Sequence, residues 1–236
     1  MFFLAISLKT WYVLIGDNMQ KRKIVYPQIK NNLLIFNDEM LENDYIDNCY
    51  FDDLDSNIDF SSKEFTGCKF KNITFSCDKF KDVNFLDCVF IHCDLSNLDL
   101  SKRSIHRCLF SYSKLVGVDL SDSSIQDVFF EDCNMAYSNF SVSIIKDVKF
   151  KNVDLTDASF QNIKWKYLYF YNCNLIRSDW LNTSLKNLDL RTNDISSSFF
   201  TKEKLSGLII SNYQTMYLLS LLGIVVLEEE IDSDLD

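Results

Sequence analysis

Apolar residues recur at every fifth position of this chain, 31 times without a break in register, from Phe60 to Ile210. A period of five fits neither regular element. On an α-helix the series would wind around the axis, and on a flat strand its members would alternate between the two faces. All of them can face one interior only if the chain turns a corner about every five residues. The pattern therefore predicts a solenoid.

A second series of smaller residues lies two positions before each member of the first. It is mostly Cys, Ser, Val, Leu or Ile, as at Cys68 and Val83. Four residues interrupt it: Asp78, Arg103, Asn193 and Glu203. Asp or Asn often stands just before a large inward residue or two after it, where its side chain can bond to the backbone of a tight turn. Each unit is thus predicted to contain a large inward residue, a small inward residue and a corner.

This unit resembles the repeat of the pentapeptide-repeat family, which reads approximately Ala-(Asp/Asn)-Leu-x-x. Units that carry the resemblance include SNLDL, VGVDL, KNVDL, NTSLK and YNCNL, and it covers about residues 57–210. It implies an all-β solenoid, a right-handed quadrilateral β-helix with four units per coil, together with a short C-terminal helix and strand. Coils stacked about 4.8 Å apart would form a rod of nearly eight coils.

Three segments resemble a narrower group, the Qnr-type quinolone-resistance proteins of Gram-positive bacteria. They are residues 22–27 (RKIVYP), 179–188 (DWLNTSLKNL) and 205–225 (LSGLIISNYQTMYLLSLLGIV). The resemblance implies a cytoplasmic, homodimeric rod that binds DNA gyrase or topoisomerase IV as a DNA mimic and confers antibiotic resistance by protecting the enzyme from quinolones. It implies no direct contact with nucleic acid and none with a membrane.

Two other functions remain open on the sequence. Many pentapeptide-repeat chains have no link to gyrase, so a structural or scaffold protein for an unrelated partner is one alternative. An immunity protein against a gyrase poison would bind the same target, but it would protect that target from a natural poison instead of from quinolones. The C-terminal resemblance favours gyrase, whereas the charge of the rod favours the scaffold.

The net charge of −10 lies mainly at the two ends of the chain. Residues 60–210 contain 19 Lys/Arg and 18 Asp/Glu, whereas a DNA mimic is expected to be acidic throughout. Residues 115–145 nevertheless lack Lys and Arg. The candidate residues for binding gyrase lie there: Asp119, Asp122, Asp127, Glu131 and Asp132. A solvated face is the other interpretation of this acidic stretch.

Residues 20 apart are expected to stack on one another in successive coils. Asp87, Arg107 and Asp127 then predict a surface ladder of alternating charge. Exposed pairs of this kind contribute about 0–1 kcal/mol each to stability.

The eight cysteines are predicted to be core residues. Six belong to the small inward series: Cys68, Cys88, Cys93, Cys108, Cys133 and Cys173. A zinc site needs closely spaced ligands, which the sequence lacks, and the two histidines, His92 and His106, fall at outward positions. Disulfides between adjacent coils are within reach but unfavoured in a reducing cytosol. With no metal, cofactor or catalytic motif indicated, the sequence predicts that the protein is not an enzyme.

The sequence divides the chain into five predicted segments. They are an N-terminal extension that is non-native or mis-assigned (1–18), an irregular N-terminal coil or cap (19–59), the β-helix (60–210), a C-terminal dimerisation cap (211–227) and an acidic tail (228–236). The first segment is too short to span a membrane. In the second, Tyr45 and Tyr50 are predicted to keep the inward register.

The C-terminal cap is predicted to contain a short helix that is capped by Ser211 or Asn212, runs through Leu222 and is ended by Gly223. Residues 224–227 are predicted to form a short strand. An open solenoid end exposes core residues and strand edges, so it needs a cover. A monomeric cap would supply one, and the resemblance implies a two-fold dimer instead. The expected interface residues are Tyr213, Met216, Leu219, Leu222, Ile224 and Val226.

Overall fold

The computed structural model describes residues 24–54 and 57–227. They form a β-solenoid of about eight turns that ends in one short helix, which confirms the predicted fold class. The predictions for residues 1–18 and for the tail 228–236 lie outside the described residues.

Within the described residues, thirteen strands build the solenoid. They are β1 (Leu34–Ile35), β2 (Tyr45–Asp47), β3 (Cys49–Asp52), β4 (Glu64–Thr66), β5 (Lys69–Lys71), β6 (Asn84–Leu86), β7 (Val89–Ile91), β8 (Ser104–Ser111), β9 (Ser124–Glu131), β10 (Ile144–Lys151), β11 (Lys164–Tyr171), β12 (Asp179–Trp180) and β13 (Phe199–Phe200). The helices are three 3₁₀ turns, Asp38–Glu42, Cys77–Lys79 and Lys202–Lys204, and α1 (Asn212–Leu221).

Strands β1 to β11 form a single sheet, and β12 pairs with β13. Every pairing is parallel, because each strand lies beside its counterpart from the next turn. Phe110 is paired with Phe130, Phe130 with Phe150, and Phe150 with Phe170. The twenty-residue register predicted from the sequence is therefore the pairing register of the sheet, and each turn advances the rod by about 4.8 Å.

The five-residue series fills the interior of the rod. All its members are buried except Trp165, Leu205 and Ile210, which are half-buried. One interior column is a stack of seven phenylalanines whose successive centroids lie 4.5–5.0 Å apart, with interplanar angles of 3–14°. Its members are Phe51, Phe70, Phe90, Phe110, Phe130, Phe150 and Phe170. Stacked rings add about 0.5–1.5 kcal/mol per pair to the free energy gained by burial.

The small inward series carries the polar groups of the interior. Ser123 Oγ donates a hydrogen bond to the carbonyl oxygen of Leu100 at 2.8 Å and accepts one from the N–H of Arg103 at 3.2 Å. Asn193 was predicted to interrupt this series, but it is buried and bonds to the backbone in the same way. Small polar side chains such as these are tolerated inside because they form hydrogen bonds with the neighbouring turns.

All eight cysteines are free thiols, and all except Cys77 are buried. Cys88 Sγ donates to the carbonyl oxygen of Phe65 at 3.4 Å. Burial raises the pKa of the Cys93 thiol to about 11, which keeps it protonated and unreactive. Within the described residues, no group of three or more His, Cys, Asp or Glu side chains is arranged to hold a metal ion.

Most corners of the rod are residues in the left-handed region of backbone space, two positions after a large inward residue. More than half of the non-glycine residues with positive φ are Asp or Asn, the types that adopt this conformation most readily. The frequent Asp and Asn of the sequence therefore have a backbone cause. Val142 is an exception, with φ of 66° at an exposed corner, where the conformation costs about 1–2 kcal/mol.

The first turn departs from the sequence prediction. Tyr45 is 73% exposed, whereas the neighbouring Ile46 and Phe51 are buried. Ile46 pairs with Phe65, nineteen residues later rather than twenty. Because this turn is one residue shorter, its inward positions shift by one, and the predicted register of Tyr45 and Tyr50 is wrong.

Helix α1 closes the C-terminal end of the rod, as predicted. The N–H of Ser211 donates to Gln214 Oε1 at 2.7 Å, and Gln214 Nε2 donates to the carbonyl oxygens of Leu190 and Asn193 in the last turns. Gly223 has φ of 78° and follows the helix. The predicted strand at 224–227 is absent from the described residues, since these four have no regular structure and no strand edge paired with them.

Replacing Phe130 by Ala tests the interior column. Phe130 is 1% exposed and stacks on Phe110 and Phe150, so its loss should lower the free energy of unfolding by about 3–5 kcal/mol. Denaturant unfolding measures this value. Phe199→Ala is the control, because Phe199 is 54% exposed and its loss should cost far less. Equal destabilisation of the two variants would contradict the inward assignment of the five-residue series.

Candidate interaction surface

The candidate acidic residues lie close together in sequence but at different corners of the rod. Asp122, Asp127 and Asp132 occupy three successive corners, each with φ of 54–55°. Because four units complete a turn, Asp122 and Asp132 lie two corners apart, on opposite edges of the rod. The structure therefore brings Glu131 and Asp132 together but separates them from Asp119 and Asp122.

Four of the five carboxylates reach the surface. Asp122 is exposed, and Asp119, Glu131 and Asp132 are half-buried. Glu131 forms an ion pair with Lys151 at 2.5 Å, and this hydrogen bond raises the pKa of the lysine. The negative charge that this surface presents is therefore smaller than the number of carboxylates suggests.

The fifth carboxylate, Asp127, is only 4% exposed because a segment from the N-terminal region covers it. We call residues 24–28 the N-terminal strap. The N–H of Val25 donates to Asp127 Oδ1 at 3.1 Å, and the N–H of Gln28 donates to Asp87 Oδ1 at 2.9 Å. The strap thus runs along one corner column of the rod and is held there by main-chain donors.

A ring contact holds the same strap. The rings of Tyr26 and Phe129 stack with their centroids 4.1 Å apart and an interplanar angle of 15°, and Phe129 is buried beneath the tyrosine. This contact was not predicted from the sequence, since the strap and Phe129 are about a hundred residues apart and no local pattern connects them. The sequence predicts that Asp127 binds the partner, but beneath the strap its side chain is almost inaccessible to one.

Of the three residues in the predicted charge ladder, only Asp87 and Arg107 form an ion pair. Arg107 donates to Asp87 through Nε at 2.8 Å and Nη2 at 2.5 Å, while Asp127 faces the strap and His106 Nε2, the latter at 3.5 Å. Burial acts to raise the pKa of Asp87, but the bonds from Arg107 and from the N–H of Gln28 outweigh it and lower the pKa. The sequence predicts an exposed pair, but Asp87 is buried and Arg107 is half-buried, because the strap lies over this corner.

The residues predicted for the dimer interface form an apolar patch at the C-terminal end. Helix α1 packs on the last turn through Tyr217, Leu218 and Leu221. Its other side is open to solvent. The predicted residues there are Tyr213 (97% exposed), Met216 (56%), Leu219 (half-buried), Leu222 (46%), Ile224 (49%) and Val226 (48%).

Among the described residues, no helix has both the length and the apolar character needed to cross a bilayer.

Residues 83–160 match the family model described as a pentapeptide repeat region. This part of the β-solenoid is therefore a pentapeptide-repeat region. No curated protein matches the chain.

Among solved structures, the chain is similar to a trypsin-treated form of QnrB1, described as a plasmid-mediated fluoroquinolone resistance protein, with 25% identity over 78% of this chain and 90% of that one and a TM-score of 0.33. Full-length QnrB1 is 19% identical over 76% of this chain and 100% of that one, with a TM-score of 0.30. HetL, a pentapeptide repeat protein involved in heterocyst differentiation regulation from the cyanobacterium Nostoc sp., is 9% identical over 66% of this chain and 84% of that one, with a TM-score of 0.37. At these scores the likenesses carry no conclusion about function.

The variants Asp127→Asn and Asp122→Asn compare the contribution of a buried carboxylate to stability with that of an exposed one. Asn suits the left-handed corner as well as Asp does, so backbone strain stays constant. Asp127→Asn removes a charged acceptor from the N–H of Val25 and should lower the free energy of unfolding by about 1 kcal/mol, whereas Asp122→Asn should leave it unchanged. Chemical denaturation measures both variants. Equal stability of the two would show that the strap does not depend on Asp127.

Proposed function

We propose that this protein is a non-enzymatic rod that binds DNA gyrase or topoisomerase IV in the cytoplasm and protects the enzyme from quinolones. The observation that carries the proposal is the C-terminal cap. It lies in the segment 205–225, where the sequence resembles the Qnr-type proteins, and helix α1 there leaves an apolar patch open to solvent. Two rods joined at this patch make one elongated body with a two-fold axis, a shape comparable to a segment of DNA.

The partner surface in this proposal consists of the carboxylates that the rod exposes. Asp119, Asp122, Glu131 and Asp132 are fixed on a rigid scaffold, and they take the place of phosphate groups facing basic side chains of the enzyme. Asp127 is left out of this surface because the strap covers it.

A scaffold for an unrelated partner is the second candidate. The separation of Asp122 and Asp132 on opposite edges of the rod favours it, because a DNA mimic needs its charges on one face. An immunity protein against a gyrase poison would use the same surface as a resistance protein. Only the identity of the natural poison would differ.

Leu219→Asp tests the proposed homodimer. A C2 interface lets one apolar patch cover its own copy, and a carboxylate inserted there would be buried without a partner. Light scattering at micromolar concentration should give twice the chain mass for the wild type and the single mass for the variant. Ser104→Asp, at an exposed position of β8 far from helix α1, is the control and should remain dimeric. A monomeric wild type would remove the dimer from the proposal.

A supercoiling assay with gyrase and ciprofloxacin tests the target. The wild type should restore supercoiling in the presence of the drug, and its binding to gyrase should weaken as salt is raised. A variant with Asp119→Asn, Asp122→Asn, Glu131→Gln and Asp132→Asn should protect at least tenfold less, because four charges are removed from the proposed surface.

The matched control also removes four negative charges but leaves that turn intact. It carries Asp38→Asn, Glu39→Gln, Asp53→Asn and Asp78→Asn, all at exposed positions near the N-terminal end of the rod. This control should protect as well as the wild type. If both variants lose protection equally, the effect depends on net charge and not on the proposed surface. If the wild type binds neither topoisomerase at low salt, the scaffold function is favoured.

A further inference from the structure

One face of the rod carries a row of lysines in its later turns. We call it the lysine strip. Its members are Lys146, Lys164, Lys166, Lys186 and Lys204. Lys146 and Lys166 are directly paired in the register of β10 and β11, and Lys186 holds the same position one turn later. Lys164 and Lys204 lie on the other side of the large inward residues of the same face. All five are outward positions, and all are exposed except Lys146, which is half-buried.

The strip lacks compensating negative charge. In the described residues none of its five ammonium groups forms an ion pair. Several other cations of the rod contact a carboxylate one turn away, as Arg177 does with Asp157 and Lys151 with Glu131. Like charges directly opposite each other in a sheet are destabilising. The row therefore combines stacked like charges with the absence of ion pairs that would neutralise them.

Nearby carboxylates do not alter this picture. On this face and its flanking corners, from residue 141 to residue 207, the sequence places only Asp147 and Glu203. Asp147 is fully buried, and Glu203 lies at the far end of the strip. The near neutrality of residues 60–210 thus hides a segregation of charge, because acidic corners dominate the turn at 115–145 and lysines dominate this later face.

We infer that the lysine strip binds the phosphate backbone of a nucleic acid. Its stacked lysines repeat at the strand spacing of about 4.8 Å on a rigid surface, and one nucleic acid strand carries a phosphate about every 3.4 Å. Flexible lysine side chains bridge this difference as point charges without demanding a base sequence. A linear row suits a linear polyanion better than it suits the broad surface of a membrane. This inference goes beyond the proposed function and does not depend on it.

Trp165 provides a reporter inside the strip. It lies on β11 between Lys164 and Lys166, is half-buried, and donates from Nε1 to the carbonyl oxygen of Ser184 at 2.7 Å. Trp180 is completely buried and stacks on Phe160, so it should not respond to a surface ligand. With Trp11 replaced by Phe, a change in tryptophan fluorescence on binding reports contact at this face.

The experiment measures the anisotropy of a fluorescein-labelled 20-nucleotide oligothymidylate and of a 20-base-pair duplex as the full chain is added over a series of salt concentrations. We expect binding at low salt, with Trp165 fluorescence changing over the same titration. The triple variant Lys146→Gln, Lys166→Gln and Lys186→Gln should bind at least tenfold more weakly. Its slope of log affinity against log salt should fall by about two, at roughly 0.7 for each phosphate that is no longer neutralised.

The matched control is the triple variant Lys30→Gln, Lys102→Gln and Lys114→Gln, which removes three exposed lysines from other parts of the surface. It should keep the wild-type affinity and slope, and neither variant should melt at a lower temperature than the wild type. Binding of either oligonucleotide that is lost only in the strip variant supports the inference. No binding at low salt, equal loss in both variants, or equally strong strip-dependent binding to anionic lipid vesicles would overturn it.

Discussion

The structure depends on one constraint, the in-register stacking of each turn on the turn before it. The rise between turns equals the spacing of paired strands, so from β4 onward each strand residue lies about 4.8 Å from the residue twenty positions later. Inside the rod this repetition is favourable, as the stack from Phe110 to Phe170 shows, because flat rings meet face to face. On the outer surface the same repetition is unfavourable for charged residues, because a lysine that recurs at the same position lies next to another lysine. The interior column and the lysine strip are consequences of the same geometry.

The corners impose a second constraint, and it changes how the acidic residues are interpreted. A left-handed corner favours Asp and Asn for reasons of backbone conformation alone. Asp122 and Asp132 occupy such corners, so their presence is explained without any partner. Asp119 also has a local structural role, because its Oδ1 accepts a hydrogen bond from the N–H of Ser121 at 2.9 Å. Glu131 lies on a face of the rod, where no left-handed backbone selects for a carboxylate. Of the candidate acidic residues that reach the surface, Glu131 carries the most specific functional signal.

The sequence is sufficient to predict the solenoid because its period is a local property that repeats in every unit. The shift at Ile46 and Phe51 could not be predicted, since one residue fewer in a loop leaves no periodic trace. The strap could not be predicted either, because the bond from Val25 to Asp127 joins residues 102 positions apart. For the candidate acidic residues, closeness in sequence does not mean closeness in space. In a rod with four sides, ten residues of chain lead to the opposite edge.

The two candidate surfaces lie at different levels of one rod. The exposed carboxylates around Asp119 and Glu131 lie midway along it, whereas the lysines from Lys146 to Lys204 occupy the turns next to the C-terminal cap. In a dimer joined through helix α1, both lysine strips would therefore lie near the two-fold axis, with the acidic turns farther out along each arm. Surfaces at different levels do not compete for one ligand. A complex that presents nucleic acid beside basic protein could then be contacted through both, and the near-zero net charge of the rod would reflect two surfaces of opposite sign.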